Sequence, residues 1–288
     1  MVKPVKTIGN PVSWTLGAVA ESWRHVGHAV HDIGGDRLAR PEVARLSLAD
    51  LRLALRKGGE DFAALRSDVV FVVILYPVMG LVLSAFAFQR DLLPLLFPLM
   101  SGFALLGPIA ALVLYEMSRR RERGGPAGIG AALGVLGSPA IGPILAIGLG
   151  LVGVFVAWIL TAYLIFTLTL GPETPASARA FLVDVLTTGA GWAMLVVGCG
   201  VGFLFAAATL AMTVVSIPLL LDRHVGVPVA VATSLEVTRR NPVVVATWGL
   251  IVAALLVVGT IPLFLGLIFV FPLLGHATWH LYRRAVKP

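Results

Sequence analysis

Long unbroken apolar runs dominate the chain, with little alternation of apolar and polar positions. They cover Val69 to Phe88, Leu92 to Tyr115, Ile144 to Leu170, Ala190 to Leu221 and Val243 to Trp279. The last run would be roughly 55 Å long as one helix, against about 30 Å of bilayer hydrocarbon. One upright span cannot use that length. The run carries Gly259-Thr260-Ile261-Pro262, where Gly closes a helix without a Cβ penalty and Pro opens the next. This predicts a tight hairpin of two spans, and six spans in all. Only helices and closed barrels satisfy their backbone in lipid, and a barrel would need alternating strands, so the class is all-α.

Amphipathic segments separate the runs. Asn10-Pro11 reads as a helix start, followed at near-helical spacing by Trp14, Val19, Trp23, Val26, Val30 and Ile33. Ser47 with Asp50 suggests an N-cap and half of a capping box. Leu48, Leu51 and Leu55 then form a face that Gly58-Gly59 interrupts and Phe62 and Leu65 resume. Pro94, Pro98 and Pro108 predict kinks in the second span. Gly124 to Gly142 reads as a short interfacial helix with Ile129, Leu133 and Leu136 on one side, ended by Ser138-Pro139. Phe181, Val185 and Leu186 suggest a half-buried helical turn in the long loop from Gly171 to Gly189. The fourth run is too long to stand upright, so a tilt or a break before Pro218 is expected, and Gly198, Gly202 and Ala206 form a small-residue face. Val227 to Thr238 is another amphipathic helix, opened by Pro228. The expected architecture is a polytopic membrane protein with three hairpins, each preceded by a cytoplasmic amphipathic helix. Residues 1–44 form the cytoplasmic N-terminal segment and 45–288 the six-helix membrane domain.

Composition agrees: 58% of residues are hydrophobic and 13% charged, where soluble domains carry about a quarter charged. The net charge of +7 would suit nucleic acid, but its distribution points elsewhere. With the first span running outward, all 22 Lys and Arg except Arg90 and Arg179 fall on the cytoplasmic side, which places both termini in the cytoplasm. The implied partners are membrane lipids with anionic headgroups on that face, and no nucleic acid. Cys199 is the one cysteine, so no intrachain disulfide forms.

No acidic or basic side chain falls within the middle of a span. Polar chemistry gathers instead at the cytoplasmic ends of the even-numbered spans: Tyr115 and Glu116, then Asp222, Arg223 and His224, with Arg239 and Asn241 at similar depth. These groups would share one inward-facing mouth. His276 and His280 lie four apart on one helix face, a spacing that could chelate a metal or present an axial haem ligand. No other cofactor is indicated. The same stretch also fits an interfacial belt, with Trp279, His280 and Tyr282 above Arg283 and Arg284. His25, His28 and His31 drift around a helix and read as a surface patch. Gly148-Leu149-Gly150-Leu151-Val152-Gly153 matches the dinucleotide fingerprint as text, but inside a span it has neither the strand nor the solvent-facing phosphate site that the fingerprint needs. No catalytic set assembles, which makes an enzyme improbable.

Several longer blocks add a resemblance: Asp91-Leu92-Leu93-Pro94-Leu95-Leu96-Phe97-Pro98-Leu99, Leu114-Tyr115-Glu116-Met117-Ser118-Arg119-Arg120-Arg121, Pro218-Leu219-Leu220-Leu221-Asp222-Arg223 and Gly275-His276-Ala277-Thr278-Trp279-His280-Leu281-Tyr282. Through them the chain from Asp50 to Arg284 resembles a bacterial family of predicted integral membrane proteins known as a domain of unknown function. The resemblance implies an inner-membrane location and supplies no reaction. The leading expectation is therefore a non-enzymatic permease-like carrier or membrane scaffold, possible partners being a second copy of the chain or a respiratory complex. The alternatives are a haem- or copper-associated accessory factor of respiratory oxidase using His276 and His280, and a lipid-acting enzyme using Glu116, Asp222 and His224.

Overall fold

The computed structural model describes residues 41–287, apart from 74–77, 79–80, 83–84, 86–89 and 174. The amphipathic segment at 11–33, its three histidines and most of the expected first span lie outside the described residues. What is described is helical. Helix α1 (Leu48–Val73) is followed by a 3₁₀ segment (Arg90–Leu95), α2 (Leu96–Phe103), a second 3₁₀ segment (Ala104–Leu106), α3 (Gly107–Ala110) and α4 (Leu112–Glu122). Short α5 (Ile129–Ala132) and the 3₁₀ segment Leu133–Gly137 lead to the long α6 (Ile141–Thr169). Then come α7 (Ala178–Thr187), α8 (Gly189–Thr213), α9 (Ser216–Asp222), α10 (Val227–Arg240), α11 (Pro242–Thr260) and α12 (Leu267–Ala285).

Among the described residues four stretches are long and apolar enough to cross a membrane: Leu92–Glu122, Ile141–Thr169, Gly189–Asp222 and Pro242–Thr260. Their outer faces are greasy, with Leu149, Leu168, Phe203 and Leu250 at least 70% exposed. Polar groups sit inside. Such an inverted distribution has a large free-energy cost in water and is stable in lipid.

Prolines segment the first stretch. Pro94 lies in the 3₁₀ segment and Pro108 at the start of α3, so Leu92–Glu122 runs as short pieces. The Gly189–Asp222 stretch breaks at Val214 and Val215, upstream of Pro218. There Pro218 occupies the first turn of α9, where a missing N–H has no intrahelical partner to lose. The final apolar run also breaks, between Thr260 and Leu267. Leu263 and Phe264 take left-handed backbone angles there, φ 52° and 66°, at about 1 kcal/mol each or more. Close packing of Gly259 on Gly266 holds the turn, since a Cβ on Gly266 would lie 2.8 Å from the Gly259 Cα.

The packing is organised by three close approaches. Trp158 of α6 is buried where α2, α6 and α8 meet: Cβ atoms built on Gly102 and Gly202 would come within 2.7 and 2.9 Å of its ring. Its Nε1–H donates to the Pro98 carbonyl at 2.9 Å. Of the expected small-residue face, Gly202 makes a close helix contact, while a Cβ on Gly198 would meet nothing within 4 Å. Helix α10 is tied to the break in the Gly189–Asp222 stretch by Ser234 Oγ donating to the Ala211 carbonyl (2.8 Å) and Ser216 Oγ donating to that of Ala230 (3.1 Å). Trp158→Phe removes one interhelical hydrogen bond and leaves a cavity where the second ring of the indole packed, so it should lower stability by about 1–2 kcal/mol, of which the bond accounts for about 0.6 kcal/mol, the average in membrane bundles. Thermal unfolding in detergent measures it.

The third approach corrects the sequence reading. Gly58-Gly59 does not interrupt α1. The helix runs through, because Gly58 is where α1 presses on α12: a Cβ there would be 2.6 Å from the Ala277 backbone N. Gly275 does the same for α4, with Leu114 Cδ1 2.6 Å from its Cβ position. Helix α12 is thus clasped between α1 and α4. Its Trp279 and Tyr282 are 1% exposed, so they are core residues and not an aromatic belt. The chain on either side is clipped together as well: Val43 pairs with Val286, Ala44 N–H donates to the Ala285 carbonyl (2.9 Å) and Lys287 N–H to that of Glu42 (3.0 Å).

Candidate functional site

Where α1, α4, α9 and α12 converge, their polar residues form one buried seam. Ser47 caps α1; its N–H and its hydroxyl both donate to an Asp50 oxygen, each at 2.8 Å. The other Asp50 oxygen accepts two bonds from Arg284 of α12, at 2.8 and 2.6 Å. Burial would raise the Asp50 carboxyl, but the Ser47 and Arg284 bonds outweigh it and hold the group below its ordinary value.

Three turns along α1, Asp61 joins three helices. It accepts from Ser118 Oγ of α4 (2.5 Å), from His280 Nε2 of α12 (2.8 Å) and from Arg121. Burial is the largest influence on its carboxyl and acts upward; the bonds from His280 and Ser118, with the His280 charge and Arg121, prevail and keep it below the usual range. Ser118 Oγ also lies 2.8 Å from His276 Nδ1. With its single proton given to Asp61, the Ser118 oxygen accepts from Nδ1–H, which assigns the His276 tautomer. His276 Nε2 is then a bare lone pair, fully buried and without a protein partner among the described residues.

A second part of the seam lies around α4 and α9. Glu116, 1% exposed, takes Arg119 through both oxygens (2.7 and 3.1 Å) and Arg120 Nε at 2.6 Å. Arg119 extends to the Leu221 carbonyl at 2.9 Å. Asp222 accepts from Arg123 (2.8 Å), the Tyr282 hydroxyl (2.8 Å) and Arg283 (3.3 Å). The Tyr282 hydroxyl is the donor in its bond to Asp222. Glu122 receives Trp279 Nε1 (2.9 Å) and Arg283 (3.1 Å).

The residues expected at one mouth thus separate. Tyr115, Glu116 and Asp222 join the seam, with Tyr115 buried beside Thr278. Arg223 donates to the Lys287 carbonyl. Asn241 holds the segment before α1, accepting from Leu46 N–H (2.7 Å) and donating to the Ala44 carbonyl (3.1 Å). His224 and Arg239 remain exposed. No hydrogen bond links Glu116, Asp222 and His224 among the described residues, and none of its His, Cys, Asp and Glu groups gathers three or more side chains able to hold a metal. His276 and His280 do face one way, joined through Ser118 and Asp61.

Asp61 and Ser118 escaped sequence reasoning. A signal existed for the first: Asp50, Leu51, Ala54, Gly58 and Asp61 recur on one helical stripe, and all are buried. Ser118 gave none, lying beside four arginines that suggested a solvated connector.

Greasy outer faces around a buried polar seam define a helical integral membrane protein. Within that class, residues 96–222 match the family described as predicted integral membrane protein (DUF2189), the same family that the sequence blocks resemble. The match takes in α2 to α9 with Glu116, Ser118 and Asp222, and leaves α1 and α12 outside. No curated protein and no solved structure matches the chain.

Proposed function

We propose that the chain is a non-enzymatic scaffold of the bacterial inner membrane, with six spans in three hairpins and both termini cytoplasmic. The run at 69–88 supplies the first span and α12 the last, each paired with the span beside it in sequence. One observation carries the scaffold reading. The buried carboxylates of the seam are all held by side chains of the same chain: Asp50 and Asp61 join α1 to α12 and α4, and Glu116 holds Arg119 against the Leu221 carbonyl of α9, so they act as struts between helices. The orientation is supported by charge, since the segment 171–189 between α6 and α8 carries a single Arg, Arg179 of α7, and no Lys, whereas Arg119, Arg120, Arg121 and Arg123 crowd the other end.

A reporter active only in the periplasm should be silent when fused after Pro288 and active when inserted at 171–173; the reverse pattern would reject the orientation. Proteoliposomes should show no faster solute or proton flux than protein-free vesicles. A permease-like carrier is the second reading, favoured by the unpartnered His276 Nε2. Flux that requires His276 would replace the scaffold with it.

A further inference from the structure

Glu116 carries one negative charge and is held by two guanidinium groups. Arg119 uses the remainder of its fork on the Leu221 carbonyl, and its side chain is 19% exposed. Arg120 bonds Glu116 through Nε, and its side chain is 33% exposed. The trio therefore carries one surplus positive charge, and Arg120 presents it. Its Nη2 lies 3.5 Å from the Cβ position of Gly134, so the guanidinium rests against the 3₁₀ segment Leu133–Gly137. Inward, that segment is anchored by Val135, and its neighbour Ala132 is buried too. Outward it shows Leu133 and Leu136, 44% and 59% exposed, three residues apart and thus eclipsed on a 3₁₀ helix. Exposed leucines resume in α6 at Leu145 and Leu149.

We propose that Arg120, Leu133 and Leu136 form a binding site for an anionic phospholipid. The Nη groups of Arg120 take the headgroup phosphate, for which a guanidinium fork is the matched donor. The two leucines lie along the start of the acyl chains. The pairing of a surplus cation with an outward apolar step is what selects a lipid over a free anion, because an inorganic phosphate would gain nothing from the leucines. This site rests on the reading that the arginine-rich end faces the cytoplasmic leaflet, where anionic lipid concentrates.

The test is lipid capture by the full-length protein. Detergent-purified protein is equilibrated with phosphatidylcholine and phosphatidylglycerol in equal amounts, and bound lipid is identified by native mass spectrometry. Wild type should be enriched in phosphatidylglycerol. Arg120→Gln should cut that enrichment at least threefold, and Leu133→Ser with Leu136→Ser, which leaves the Glu116 cluster intact, should cut it similarly. Arg52→Gln, an exposed arginine on α1, is the reference and should change it little. Equal loss with Arg52→Gln would reject the site while keeping a generally basic face. No enrichment in wild type would reject both. If 10 mM inorganic phosphate displaced the lipid, the pocket would be an anion site and the lipid assignment would fall.

Discussion

Gly58→Leu should detach α1 from α12. The Cβ alone would lie 2.6 Å from the Ala277 backbone N and 2.8 Å from its Cα, atoms that cannot rotate away. Overpacking typically costs about 1–3 kcal/mol, and more when backbone must move; here the whole of α1 must shift, and with it Asp50 and Asp61. A loss of about 3 kcal/mol or more is expected, read as a lower unfolding temperature and a broadened size-exclusion peak in detergent. Gly59→Leu is the control. The nearest atom to its Cβ is Leu273 Cδ1 at 3.9 Å, the far end of a flexible side chain, and its effect should be much smaller. Equal tolerance of both changes would mean that α1 does not dock as described.

Asp61→Asn should be the most damaging polar substitution. It removes the negative charge that accepts from Ser118, His280 and Arg121 together, and hydrogen bonds to a charged group contribute about 1.5–3 kcal/mol each. Arg121 can recover water, its side chain being 42% exposed, whereas Ser118 and His276 are fully buried. A net loss of about 2–3 kcal/mol follows; Arg121→Gln should cost less than about 1 kcal/mol. The pH dependence has a definite sign. The Asp61 carboxyl is held below its unfolded value of 3.8, so its contribution is fully present above that value and is lost as pH falls through the lower, folded one. Acid titration of stability between about pH 5 and 2 should therefore be flatter in Asp61→Asn than in wild type.

The helical class and the places of the breaks were legible in the chain because Gly and Pro mark them: Pro108 in the second run, Pro218 after a span too long to stand upright, and Gly259 to Pro262 in the last. There, however, Pro262 lies within the turn, α12 starts only at Leu267, and Leu263 and Phe264 rather than a glycine take the left-handed angles. The seam was only half legible. Glu116, Asp222, His276 and His280 stood out as charges or imidazoles at the ends of apolar runs. Their partners depend on which helices touch, and that was decided by Gly58, which a reading along α1 takes for an interruption. Trp279 and Tyr282 show the same limit. An aromatic near a run of arginines fits a bilayer surface until a neighbouring helix covers it, and Glu122 and Asp222 show that α4 and α9 do.

The clasp of α12 between α1 and α4 also sets a schedule for biosynthesis. More than 200 residues separate Asp61 from His276 and His280, so at about 5–20 residues per second the ribosome needs roughly 10–40 s to deliver the second after the first. Throughout that interval α1 lacks the helix it packs against most closely, and of the three partners of Asp61 only Ser118 and Arg121 of α4 are within reach. The earliest helix described is thus the last to find its place, and the chain locks only when its final helix arrives.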